Sequence, residues 1–214
     1  MGYNDSPSVS ISGGLVQNIQ IDSSNSAGGF VGTCRIIIMN NCELTITNSA
    51  MANTIKASNN AGGLVGQTNE ASIISNVNLT NINITSTTSS SSGSAVGFSS
   101  NNIEITNFKL NSSNVNNLVN GGSGICGAVA TSFSFKCTNC FLSNLDLFSS
   151  SQNNIGGAVG SAHTVYITNF KLDNTLGLFN TINGSQYVGG VAGNVNNFTL
   201  INGSVERTSS FGSS

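Results

Sequence analysis

The sequence predicts an all-β fold, a parallel β-solenoid of six to seven coils of roughly 32 residues. Three observations carry that expectation. A glycine-rich box recurs down the chain, an asparagine follows each box at a near-constant distance, and apolar residues alternate around that asparagine in fixed phase. A period of this size marks an array, in which each unit buries its apolar face only against its neighbours.

The box reads Gly28-Gly29-Phe30-Val31-Gly32, Gly62-Gly63-Leu64-Val65-Gly66, Gly156-Gly157-Ala158-Val159-Gly160 and Gly189-Gly190-Val191-Ala192-Gly193. Degraded copies stand at Gly93-Ser94-Ala95-Val96-Gly97 and Cys126-Gly127-Ala128-Val129-Ala130. Glycine suits places where a Cβ would clash or where φ is positive.

Asn41, Asn76, Asn107, Asn139, Asn169 and Asn202 follow the boxes. Two and four positions before them stand pairs such as Met39/Ile37, Ile105/Ile103 and Ile167/Val165. One position after stand Cys42, Val77, Phe108, Cys140, Phe170 and Gly203, and three after stand Leu44, Leu79, Leu110, Leu142, Leu172 and Val205. Alternation with period two means a strand with one buried face. The interruption means a corner, where asparagine tolerates unusual backbone angles. No stretch keeps helical spacing, and β-branched residues, Asn, Ser and Gly dominate.

Stacked coils bring the asparagines into a ladder, each amide bonding the next, and thereby satisfy polar groups at a tight corner. Ile11 to Ile21 aligns without gaps on Ile74 to Ile84. One domain is therefore expected over 1–214, with a partial coil at 8–27, six coils over 28–205 and a polar tail at 206–214. The polar stretches Asn48–Asn60, Thr85–Gly93, Asn111–Gly122, Ser149–Asn154 and Asn174–Gln186 read as loops emerging on one side.

Charged residues make up 7% of the chain and the net charge is −2, which argues against a nucleic-acid surface. No apolar run approaches the roughly 20 residues of a membrane span. The first residues have neither the basic start nor the apolar core of a signal peptide. Met1-Gly2-Tyr3-Asn4-Asp5-Ser6 fits the loose myristoylation pattern, read as a chance match because no polybasic second signal follows. Seven glycosylation sequons (Asn4, Asn78, Asn83, Asn111, Asn183, Asn197, Asn202) are about what this composition yields by chance.

Five cysteines do not close a disulfide framework. Cys137 and Cys140 form a lone C-x-x-C whose two members fall at inward positions, where small apolar fillers are the expectation and a local disulfide or metal site the alternative.

Little chemistry is legible, and no catalytic, cofactor-binding or metal-ligating residue is expected. Asp173 and Glu206 share one outward column on neighbouring coils, with Lys171 and Arg207 near enough to neutralise them. Glu104 and Lys136 share another and predict a cross-strand ion pair. His163 reads as a polar turn residue, since no carboxylate has a position from which to orient it.

Gly62 to Gly66 followed by Ser72-Ile73-Ile74-Ser75-Asn76-Val77 resembles the GLUG-motif repeat family, and the resemblance runs from Gly28 to Val205. Units here are longer than that family's, and two boxes are degraded. The resemblance implies a repetitive, adhesin-like surface or secreted protein and no catalytic residues.

The expected role is a non-enzymatic structural domain of an extracellular or cell-surface protein: a stalk, an adhesin segment or a filament subunit. Its expected partners are further copies of itself, stacked head to tail or in a longer array, with glycans or cell surfaces as other possible ligands. Two alternatives compete. One is an ice- or surface-binding face, prompted by Thr45, Thr47, Thr80, Thr85, Thr87 and Thr106. The other is a carbohydrate-active enzyme using Asp173 and Glu206.

Overall fold

The computed structural model describes residues 7–46, 52–88, 90–112, 117–122, 124–149, 154–174, 180–206 and 208–211. It is a parallel β-solenoid, with strands throughout and no helix among the described residues. Three sheets of eleven, seven and six strands run along its length, each strand pairing with its counterparts one coil away.

The largest sheet holds the strands that carry the alternating motif. They are Ser8–Ser12 with Leu15–Gln17, then Ile36–Thr45, Ser72–Thr80, Asn102–Asn111, Val129–Ser143, Val159–Asp173 and Ala192–Val205. Their register is the one the alternation predicts: Met39, Ile74, Ile105, Cys137, Ile167 and Leu200 are successive neighbours, as are Leu44, Leu79, Leu110, Leu142, Leu172 and Val205. The inward members are buried through the middle of the stack. Ser72 is the polar exception. Its hydroxyl accepts from the Ile37 N–H (3.1 Å) and donates to the Glu70 carbonyl (2.9 Å), so a hydroxyl sits in an apolar column without an unmet bond.

The corner works by a local change of hand. Asn41, Asn76, Asn107, Asn139, Asn169 and Asn202 have φ of 53°, 52°, 54°, 56°, 55° and 55°, and Gly13 has φ of 72° at the same place in the first coil. One left-handed residue inside a strand breaks the alternation, so the residue two before it and the residue one after it both face inward.

The boxes pack backbone on backbone. The N–H of Phe30 donates to the Leu64 carbonyl, Leu64 to Ala95, Ala95 to Ala128, Ala128 to Ala158 and Ala158 to Val191. A Cβ on Gly63 would overlap the Ser94 carbonyl oxygen, and one on Gly157 would overlap that of Gly190. The glycines are there for close approach rather than for positive φ.

Two expectations need correction. Three of the stretches read as loops hold strands of the seven-stranded sheet: Asn53–Ala57, Asn117–Gly121 and Asn180–Asn183, which stack in parallel register with Ile82–Ser86 and Leu145–Ser149 of the coils between. Those three are so short that each offers only two or three inward positions, and the first of them is an asparagine, so no apolar alternation shows. The stretch read as a polar tail adds a further strand, Thr208–Phe211, opposite Asn180–Asn183.

The structure also shows a longer period. Gly13, Asn76, Asn139 and Asn202 stand 63 residues apart in succession, and so do Asn18, Asn81 and Asn144. In the first three of those coils a second left-handed asparagine (φ of 53°, 50° and 54°) turns the chain straight into the seven-stranded sheet. In the intervening coils four to six more residues separate the corner from Asn53, Asn117 and Asn180. The repeating unit is a pair of coils, one short and one long.

Candidate functional surfaces

The outer ladder rises from Asn76. Asn107 Nδ2 donates to Asn76 Oδ1 (2.7 Å), Asn139 to Asn107 (2.9 Å), Asn169 to Asn139 (2.9 Å) and Asn202 to Asn169 (3.2 Å). Its foot differs from expectation: Asn76 Nδ2 bonds Asn40 Oδ1 (2.9 Å), not Asn41. The ladder is also largely solvent-exposed rather than buried, because the left-handed residue turns its own side chain out as it turns its neighbours in. Bonds exchanged with water contribute modestly. Asn107→Ala is expected to cost about 1–2 kcal/mol, mostly from forcing a Cβ residue without asparagine's local bonds into the left-handed region. Asn107→Gly should cost less, since Gly13 holds that place in the first coil. Thermal unfolding of the two variants beside the parent checks the order.

A second asparagine column, hidden in the sequence, lies inside. Asn53, Asn117 and Asn180 are completely buried. The Oδ1 atoms accept from the backbone N–H of Ile19 (3.1 Å), Ile82 (3.0 Å) and Leu145 (2.8 Å), all in the preceding short coil. Nδ2 of Asn53 donates to the carbonyls of Thr45 (2.9 Å) and Thr80 (3.2 Å), and that of Asn117 to Asn111 and Ser143 (3.0 Å each). Asn180 Nδ2 reaches the Glu206 carbonyl (3.3 Å). Each amide ties its own long coil to the short coils on both sides. Around them the column reads Ile19, Asn53, Ile82, Asn117, Leu145, Asn180, alternating apolar and amide. The signal was present in the sequence as a 63- to 64-residue spacing of Asn53, Asn117 and Asn180. The abundance of asparagine in this chain masks it.

The charged side chains mostly join neighbouring coils. Lys136 Nζ lies 2.8 Å from Glu104 Oε1, as the shared column predicts. The hydrogen bond to Glu104, and then its charge, raise the Lys136 pKa. Arg35 meets Glu70 at 3.9 Å and Lys56 meets Asp22 at 3.7 Å. Lys171 Nζ lies 3.1 Å from Asp173 Oδ2, and its pKa is raised by that hydrogen bond, by Asp173's charge and by Glu206. The register that sets Leu172 beside Val205 brings Asp173 and Glu206 to neighbouring places, with Lys171 as their counter-charge. These pairs are exposed and individually weak. Asn4, Asp5 and the side chain of Arg207 lie outside the described residues.

His163 sits within a strand rather than at a turn. Its ring stacks on Phe133 with centroids 5.5 Å apart, and the Asn196 amide donates to its Nδ1 at 3.0 Å. A shallow hollow of about 140 Å³ lies over Leu110, Phe141 and Leu142, rimmed by Asn111, Ser143, Lys171 and Asp173. Among the described residues no group of three or more His, Cys, Asp or Glu side chains could hold a metal ion. The position before each corner runs Ser12, Asn40, Ser75, Thr106, Thr138, Thr168, Ile201, so threonine holds it over three coils only.

Cys137 and Cys140 meet sulfur to sulfur at the inward positions expected, with Cα atoms 6.4 Å apart, which favours the local disulfide over two separate fillers. The corner at Asn139 is the physical reason, because it turns both flanking positions inward onto each other. Cys34, Cys42 and Cys126 are free and buried, and burial raises the Cys34 and Cys126 thiol pKa values. A thiol reagent should therefore find no reactive cysteine in the native protein and three after unfolding without reductant. Five in the unfolded protein would contradict the disulfide.

No protein-family model matches the chain, no curated protein is similar to it, and no solved structure matches it.

Proposed function

We propose that this chain is a non-enzymatic structural module of an extracellular or cell-surface protein, a rigid solenoid segment that spaces or presents what is attached to it. The observation that carries this reading is where its polar chemistry goes. The outer ladder, the buried asparagine column and the Arg35–Glu70, Asp22–Lys56 and Glu104–Lys136 pairs all join one coil to the next. Side chains committed to holding neighbours in place serve stiffness. The box's resemblance to the GLUG repeat supports the surface assignment, since many proteins with that repeat are adhesin-like.

The test is exposure on intact cells that make the natural protein. An antibody against the folded solenoid should bind before permeabilisation, and external protease should remove the signal. Labelling only after permeabilisation would sink the assignment. Turnover of a polysaccharide that Asp173→Ala or Glu206→Ala abolishes would replace the structural reading with an enzymatic one.

A further inference from the structure

We propose that the hollow beside Phe141 binds a neutral hexopyranose unit of a glycan, with the sugar's C–H face on the Phe141 ring and its hydroxyls on the polar rim. The proposal adds a ligand to the structural reading above and does not depend on it.

The site lies within the stack, over three consecutive coils, on the arm of the large sheet that follows the corner. Its apolar wall is Phe141. From Glu43 onward that outward column reads Glu43, Asn78, Lys109, Phe141, Lys171, Ser204, polar at every place but one. The ring is 45% exposed and stands outside the core. A single exposed apolar side chain is ordinary on a protein surface. What sets this one apart is the space at its side. In the neighbouring outward column Ser143 stands between Asn111 and Asp173, and its short side chain leaves a hollow of about 140 Å³ against the ring.

The rim selects the class of ligand. Lys171 Nζ lies 3.1 Å from Asp173 Oδ2, and Asp173 Oδ1 accepts from the Asn174 N–H (2.8 Å). The rim's cation and anion therefore neutralise each other, and a charged ligand would meet its like charge beside its opposite. Lys109 next to Phe141, and Glu206 near Lys171, add one further charge of each sign. What the rim offers is hydrogen bonding. Ser143 donates its hydroxyl to the Leu110 carbonyl (3.2 Å) and so meets a ligand as an acceptor. Asn111 Nδ2 gives one N–H to Asn78 Oδ1 (3.1 Å) and keeps the other, with its own Oδ1 as acceptor. Lys171 keeps donors beyond the one that faces Asp173.

An apolar wall rimmed by donors and acceptors fits a ring that is itself two-sided. A pyranose has this form, with C–H bonds on its face and hydroxyls at its edge. The electron-rich face of a phenyl ring attracts such C–H groups, and dispersion adds to the contact. The hollow is shallow and takes one ring, so the bound unit is one link of a longer chain or its end.

The test is titration of isotope-labelled protein with methyl β-glucopyranoside, methyl β-galactopyranoside and methyl α-mannopyranoside, read by backbone amide shifts. A ligand of this size on a shallow site is expected at about millimolar Kd. At least one glycoside should move the amides of Phe141 to Ser143 and of Lys171 to Asp173 saturably in that range. Phe141→Ala should weaken binding about tenfold, and Phe141→Tyr, which keeps the ring, should preserve it. Ser143→Gln, which fills the hollow, should abolish it. Unmoved amides in the remaining coils show that each variant is folded. No saturable shift with any of the three glycosides overturns the site, and so does binding that Phe141→Ala and Ser143→Gln leave untouched. Either failure leaves the structural reading standing, since exposure on intact cells decides that separately.

Discussion

Asn117→Leu is expected to lower stability by about 3 kcal/mol, because it takes the acceptor from the buried Ile82 N–H and a donor from each of two backbone carbonyls. Of those carbonyls, Asn111 and Ser143, the Asn111 carbonyl keeps the Asn81 N–H. Space is not the issue. Leucine is close to asparagine in size, and Leu145 occupies the next place in the same column. The loss is one of hydrogen bonds around a fully buried side chain, where an unmet group costs about 1–3 kcal/mol. For a chain of this length that shift corresponds to a melting temperature lower by about 10 °C. The exposed Asn107→Ala should fall well short of it. Urea unfolding of both variants checks the ordering, and equal losses at the two sites would show that burial does not separate the two asparagine columns.

The contrast between these columns explains what the sequence made legible. The outer ladder announces itself because each asparagine interrupts an apolar alternation, as Asn107 does between Ile105 and Phe108. That pattern gives strands, corner, inward set and register. The inner column interrupts nothing. Asn117 opens a five-residue strand, Asn117–Gly121, whose only large apolar inward residue is Val119. In a polar neighbourhood such a strand looks like a loop, so the long-coil strands of the seven-stranded sheet stayed hidden. Its evidence was periodicity at twice the expected length, the 63-residue recurrence of short coils. A search at the single-coil period averages that signal away. Site chemistry followed the same division. Glu104 with Lys136, and Lys171 with Asp173, were predictable from shared or adjacent positions on known strands. The stacking of His163 on Phe133, and the choice between two fillers and a disulfide at Cys137 and Cys140, needed three-dimensional information that alternation does not encode.

The degraded boxes bear on how strict the glycine requirement is. Ser94 stands where the other boxes have glycine, and Cys126 and Ala130 replace two more glycines in the following coil. The stack therefore admits a Cβ at some places. At Ser94 it does so imperfectly: the hydroxyl is fully buried with no hydrogen-bond partner. Removing it in Ser94→Ala should raise stability by about 1 kcal/mol.

The opposite outcome is expected one coil later. Gly127→Ala should destabilise the protein by about 3 kcal/mol, since it overpacks a site closed on every side. Its Cβ would overlap the Gly157 carbonyl oxygen, and would lie 2.6 Å from Leu142 Cδ1 and 2.7 Å from Leu145 Cδ2. The leucines can rotate. The carbonyl cannot, because it belongs to a backbone stack fixed by the Ala128-to-Ala158 hydrogen bond and its counterparts above and below. Relief must come from separating two coils, and in a linear array that weakens the interface between them specifically. Unfolding should then lose cooperativity as well as stability, with the halves on either side of Gly127 separating into distinct transitions. Hydrogen exchange resolves this: amides from residue 156 onward and those before residue 98 should open with different free energies in Gly127→Ala but together in Ser94→Ala. A variant that melts in one transition with parental stability would mean that the box backbones slide past one another freely, and that close approach is not why the glycines are there.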